Sequence, residues 1–169
     1  MLSVIEYGVV QHTLVGDVFV ARSAQGIVAV DMGVQEDDFA ARLKESFSGA
    51  VQRSEDLAST LRRFEAYLKG EILDLDLPVD LRGLTLFQRQ VLEATQKAPR
   101  GHVVTYGEIA AAIGKPKAAR AVGQALARNP VPILIPCHRV VAADGALCGY
   151  SGGGGLETKA QLLQLEGAM

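Results

Sequence analysis

Two threonines partition the second half of the chain. Thr85 with Gln88, and Thr105 with Glu108, each spell a capping box. In such a box the hydroxyl accepts from one orphan backbone amide of a helix's first turn, while the Gln or Glu side chain reaches back to another. Helices are therefore expected to open at Thr85 and Thr105. The first, over 85–98, carries Phe87, Val91, Leu92 and Thr95 on one side. The second runs through Ile109, Ala112 and Ile113 to Gly114, whose tolerance of positive φ suits a helix end. Lys115-Pro116 makes a turn, Pro116 has its φ preset for a helix start, and an alanine-rich helix over 117–128 stops at Asn129-Pro130. Two short helices joined at Gly-Lys-Pro are a helix-turn-helix candidate.

The first third reads differently. Residues 4–11, 14–22 and 26–32 are rich in Val and Ile and are punctuated by Gly16, Asp17 and the polar stretch 23–26, which predicts a small antiparallel sheet. Residues 36–47 and 55–68 return to helical spacing, with Leu57, Leu61, Phe64 and Leu68 on one face. An irregular connector over 70–82, containing Pro78, marks a boundary. The expected class is α+β: an N-terminal domain over 1–83 with a small antiparallel sheet plus helix, then a mostly helical domain over 84–169.

Charge divides along the same line. Residues 1–83 hold 8 Lys/Arg against 14 Asp/Glu, and residues 84–169 hold 9 against 5, so the halves carry −6 and +4. Lys97, Arg100, Lys115, Lys117, Arg120, Arg128 and Arg139 fall within 97–140, opposed only by Glu108. On the second helix of the pair, Lys117, Arg120, Gln124 and Arg128 share one side, opposite Ala118, Val122, Ala125 and Leu126. Ala121 and Ala127 flank the basic stripe and would let the backbone approach a groove closely. A solvated surface face and a polyanion-binding face both fit this pattern. With no run of 18 apolar residues and no basic segment leading into an apolar one at the N-terminus, neither a membrane span nor a signal peptide is expected, and the cytoplasm is the default location.

The chemistry concentrates after Pro130. The apolar run 131–135 reads as a short buried strand that delivers Pro136-Cys137-His138-Arg139 to its end. A thiolate is a nucleophile, and His138 beside Arg139 would acidify the Cys137 thiol by offering a base and a positive field. Glu166, near the C-terminus, is a carboxylate that could hold the imidazole. Neighbouring side chains on a strand point oppositely, so Cys137 and His138 cooperate only if the chain bends or a water bridges them. The rival reading is an inert core cysteine. The second cysteine, Cys148, is wrongly spaced for a zinc finger, and His12 and His102 lack cysteine partners, so no metal site is expected.

Five stretches, in order, resemble the signature of the O6-alkylguanine-DNA alkyltransferases: Tyr106-Gly107-Glu108-Ile109-Ala110, Ala118-Ala119-Arg120-Ala121-Val122-Gly123, Asn129-Pro130-Val131-Pro132-Ile133, Pro136-Cys137-His138-Arg139-Val140 and Gly149-Tyr150-Ser151-Gly152-Gly153. The resemblance implies direct, irreversible transfer of the alkyl group from O6-alkylguanine in duplex DNA onto Cys137, with no cofactor, by a monomer consumed in the act. By motif position His138 would take the thiol proton through a water, Glu166 would orient His138, and Tyr106 would hydrogen-bond the leaving guanine. Asn129 would brace the turn before Cys137, and Pro132, Tyr150, Ser151 and Cys148 would line the base pocket. Arg120, with Lys117, Gln124, Arg128, Ala121 and Ala127, would enter the minor groove of a duplex from which the base is flipped. Acceptance of O4-alkylthymine and cooperative binding along DNA stay open. Some proteins with such a fold flag alkylated bases without repairing them, which makes a non-catalytic recognition module the alternative. Leu92, Gln161, Cys148 and the long glycine run 152–155 depart from the family's pattern.

Overall fold

The computed structural model describes residues 3–169, which divide into two compact units that meet in sequence between Asp80 and Leu81. The first unit is built on a sheet of β1 (Ile5–Thr13), β2 (Gly16–Arg22), β3 (Ile27–Met32) and a later strand, β4 (Val51–Arg53), in the order β3-β2-β1-β4. The three long strands pair antiparallel, as their Val-rich runs predict. Their neighbour β4 lies parallel to β1, so the sheet is mixed rather than purely antiparallel. A parallel partner needs a crossover, and α1 (Glu36–Ser46) supplies it. Ile5, Phe19, Ala21 and Val28 on the sheet meet Phe39 and Leu43 of α1 in one cluster. The Phe39 ring lies 5.4 Å from Phe19 and 6.0 Å from Tyr7. A single 3₁₀ turn, Glu55–Leu57, with Leu57 buried, leads into α2 (Ala58–Leu68), where Phe64 and Leu68 are buried.

Both capping boxes close in the second unit. Thr85 precedes α3 (Leu86–Gln96) and accepts from the Gln88 amide at 3.2 Å, while Gln88 accepts from the Thr85 amide at 3.1 Å. After the two-residue strand β5 (Val104–Thr105), Thr105 and Glu108 do the same for α4 (Tyr106–Ala112), at 3.1 and 2.6 Å. Gly114 follows at φ +74°. The next helix, α5 (Ala119–Ala127), starts two residues later than the spacing predicts. Pro116 sits in a turn closed by the Ala118 amide on the Lys115 carbonyl at 2.9 Å, and a fixed φ suits that position as well as a helix start. Lys117 therefore precedes the helix instead of lying on it. The three helices α3, α4 and α5 pack on one another.

The expected strand at 131–135 is not one. Pro130, Pro132 and Pro136 remove amide donors that a ladder would need, and the chain turns on itself instead. The Ile135 amide donates to the Val131 carbonyl at 2.9 Å, and Ile133 adopts φ +72°. Every residue from 131 to 140 is buried all the same. A 3₁₀ turn over Cys137–Arg139 follows, then β6 (Val140–Val141), parallel to β5. A glycine turn leads to α6 (Leu156–Leu165), with Glu166 at its C-cap. No helix is long and apolar enough to cross a membrane among the described residues.

Candidate active site

Cys137 heads the 3₁₀ turn, 8% exposed, with its amide on the Ile135 carbonyl at 2.8 Å. The turn is the bend that the strand reading left in question. Asn129 spans the loop behind it, donating through Nδ2 to the Ile135 carbonyl at 2.9 Å and accepting from the Val131 amide at 3.0 Å. The Cys137 thiol is not acidified. Burial pushes it up, against the smaller opposing pulls of the Asn129 side chain, the Lys159 ammonium and nearby backbone amides.

Arg139 acts elsewhere than on the thiol. Its Nε donates to Glu166 Oε2 at 2.8 Å and its Nη2 to Oε1 at 2.9 Å, a paired grip, while Nη1 reaches the Ala98 carbonyl at 2.5 Å. A charge predicted for a surface field is thus held in the interior. Glu166 Oε1 also accepts from His138 Nε2 at 2.9 Å, with the histidine fully buried. That bond places the ring proton on Nε2 and leaves Nδ1, buried and without a hydrogen-bond partner among the described residues, as the basic nitrogen. Burial holds the His138 pKa below its ordinary value and outweighs the pull of Glu166, so the ring is neutral near pH 7.

Tyr106 is the first residue of α4, where the Thr105 cap holds it, and its hydroxyl donates to the Cys148 carbonyl at 3.1 Å. Burial, then the neighbouring Cys148, raises its pKa well above the phenol range, so it stays a donor. Gly149, at φ +61°, leaves it room: a Cβ there would stand 3.2 Å from the hydroxyl. Sequence reading missed Lys159, which is fully buried and donates to the Val140 carbonyl at 2.5 Å and the Cys148 carbonyl at 2.8 Å. Its signal was available, since Lys159 precedes Leu162 and Leu163 by three and four residues and so shares their apolar face.

Of the residues expected to line a base pocket, Pro132 is buried, Cys148 and Tyr150 are half-buried, and Ser151 is exposed with its hydroxyl on the Ala127 carbonyl at 3.1 Å. On α5 and its C-cap Arg128, the side chains of Arg120, Gln124, Ala127 and Arg128 are exposed and Ala121 is half-buried, while Val122, Ala125 and Leu126 face the interior. Lys117 is exposed in the preceding turn. Lys117, Arg120 and Arg128 make no ion pair among the described residues, whereas Lys115 lies 5.2 Å from the centre of the Phe87 ring. Also among the described residues, no group of three or more His, Cys, Asp or Glu could hold a metal ion. The arrangement offers a buried thiol, a neutral base oriented by a carboxylate, and a phenol donor.

Residues 5–81 match the family described as 6-O-methylguanine DNA methyltransferase, ribonuclease-like domain, and residues 86–168 match its DNA binding domain. A "Methylated-DNA--protein-cysteine methyltransferase" of Mycolicibacterium paratuberculosis is 47% identical over 121 residues, 72% of each chain. The "Bifunctional transcriptional activator/DNA repair enzyme Ada" of Escherichia coli is 43% identical over 153 residues, covering 89% of this chain and 42% of that one. Among solved structures, Mycobacterium tuberculosis OGT in complex with DNA superposes with a TM-score of 0.80 at 35% identity, covering 96% of this chain and 93% of that one. The O6-methylguanine-DNA methyltransferase of Pyrococcus kodakaraensis follows at 0.68 and 28%, covering 96% and 99%.

Proposed function

From the chain's membership of the O6-alkylguanine-DNA alkyltransferase family, we infer that it repairs DNA by moving the alkyl group of O6-alkylguanine onto Cys137. The observation that carries the assignment is the buried Cys137 beside a neutral His138 whose Nε2 is held by Glu166 and whose Nδ1 has no hydrogen-bond partner among the described residues. As Sγ forms its bond to the saturated alkyl carbon, the carbon–O6 bond breaks and its electron pair passes to guanine. The thiol proton leaves through a water to His138 Nδ1. Tyr106 supports the departing base by donating its hydroxyl hydrogen bond to a ring nitrogen. Guanine leaves as its anion and takes a proton from water while His138 returns its own to water, so that net the thiol proton has moved to guanine and no cofactor is required. Asn129 holds the loop that presents Sγ, and Pro132, Cys148, Tyr150 and Ser151 line the space for the base.

A paired base cannot present O6 to a buried thiol, so the nucleotide is extruded first. The exposed stripe of Arg120, Gln124 and Arg128, with Lys117 at its head, enters the minor groove, where Ala121 and Ala127 permit close approach and Arg120 occupies the space the base vacates. Docking and chemistry belong to residues 84–169, and residues 1–83 form a separate structural domain. The protein acts as a monomer in the cytoplasm, where its two cysteines remain free thiols.

The test is intact mass and peptide mapping after mixing equimolar protein with a duplex holding one O6-methylguanine. One methylene unit gained on the Cys137 peptide, one guanine restored and no turnover is the expected result. Tight binding without mass gain would instead make the protein a recognition module.

A further inference from the structure

We propose that Lys159 is a positioning residue for Tyr106: it keeps the Cys148 carbonyl hydrogen-bonded when the tyrosine hydroxyl turns its proton to the leaving guanine. In the free protein that one oxygen accepts from two donors, Tyr106 Oη at 3.1 Å and Lys159 Nζ at 2.8 Å. A carbonyl oxygen has two lone pairs and can hold both. For Tyr106 to serve the base it must release the carbonyl, and a carbonyl left with no donor in a site closed by substrate is costly. Lys159 removes that cost because its ammonium is anchored independently. Its side chain is fully buried along α6, and a second N–H holds the Val140 carbonyl at 2.5 Å, three residues beyond the nucleophile. One ammonium thus ties the strand that follows Cys137 to the loop that carries Cys148, and fixes the acceptor against which Tyr106 is poised. A buried lysine needs such a reason, since an aliphatic side chain would fill the same space without the desolvation that lowers its pKa.

The inference rests on the proposed role of Tyr106, and a double-mutant cycle separates the two. Single-turnover transfer from an O6-methylguanine duplex is measured for Tyr106→Phe, Lys159→Met, Lys159→Arg and the Tyr106→Phe/Lys159→Met pair. Lys159→Met should lower the limiting rate about tenfold, the size of one unsatisfied buried acceptor, with the half-saturating duplex concentration changed less than about twofold. Lys159→Arg, which keeps donors for both carbonyls, should recover most of the rate. In the Tyr106→Phe background Lys159→Met should cost less than about twofold, because no hydroxyl is left to turn. An undiminished loss in that background means Lys159 serves the fold or the thiol directly, and overturns the proposal while leaving Tyr106's role standing. A wild-type rate for Tyr106→Phe removes that role and the proposal with it. If Lys159→Met does not fold, ¹⁵N-lysine spectra of the Cys137→Ala protein carry the test. Saturation with the damaged duplex should shift the Lys159 ammonium resonance, and should do so much less when Tyr106 is also Phe; an unmoved resonance in Cys137→Ala overturns the proposal.

Discussion

His138 decides how the site responds to acid. Its pKa in the folded chain lies below the ordinary 6.5 because burial outweighs the Glu166 bond. Between those two values the unfolded chain binds a proton that the folded one refuses, so this group's contribution to stability is present above pH 6.5 and is lost as pH falls below it. Urea midpoints at pH 7.5 and 5.5 should therefore separate more for the native chain than for His138→Gln; equal separations would contradict the buried neutral ring. For the same reason the transfer rate should hold its plateau through pH 6.5, with its acid limb lower. Arg139 is a second case where environment sets the role. The residue after His138 looks in sequence like a source of field for the thiol, yet it grips Glu166 with two nitrogens, the partners 9% and 0% exposed. Removing it takes two charge-assisted hydrogen bonds from a buried carboxylate, so Arg139→Met should cost about 3–5 kcal/mol in chemical denaturation, far more than breaking an exposed pair such as Lys69–Glu65.

At the level of elements, α4 was legible because its start is coded locally. A hydroxyl and a carboxylate three residues apart satisfy two amides without help from the rest of the chain. Thr105→Ala should remove about 1 kcal/mol of stability and also slow transfer, since the first residue past the cap is Tyr106. Thr85→Ala should cost similar stability and leave the rate nearly unchanged, which makes the pair an internal control. The helix α5 was legible in its two faces but not in its first turn, because proline's φ satisfies a turn and a helix start alike. Arg120 lies on the exposed face either way. Arg120→Ala should weaken transfer from duplex by far more than transfer from free O6-benzylguanine, as only the duplex requires a base to be extruded. The same loss with both substrates would remove Arg120 from that role. The turn over 131–135 was the element least open to sequence reading. An apolar run of five is a strand by composition, and the missing amides of Pro132 within it and of Pro130 and Pro136 beside it forbid the ladder only if a partner strand was ever to be there.

Across the whole molecule the uneven charge has a direct consequence. Of the seven cations clustered in 97–140, Arg139 is internal, Lys97 and Arg100 stand at and just after the end of α3, Lys115 lies on Phe87, and Lys117, Arg120 and Arg128 are the exposed charges on and beside α5. If these three meet phosphates, the logarithm of the duplex binding constant should fall with the logarithm of salt at a slope near −3, about −0.9 per contact. Replacing all three with Gln should flatten it to near zero, and an unchanged slope would place the DNA elsewhere. By itself the sequence determined where α3 and α4 begin, which helix faces are apolar and which half is basic, because each is written in residues a few positions apart. Tertiary structure alone decided the parallel seating of β4, the turn that presents Cys137 and the capture of Arg139 by Glu166. Those depend on which distant groups share a low-dielectric interior, where an unpaired charge or amide is costly enough to overrule local preference.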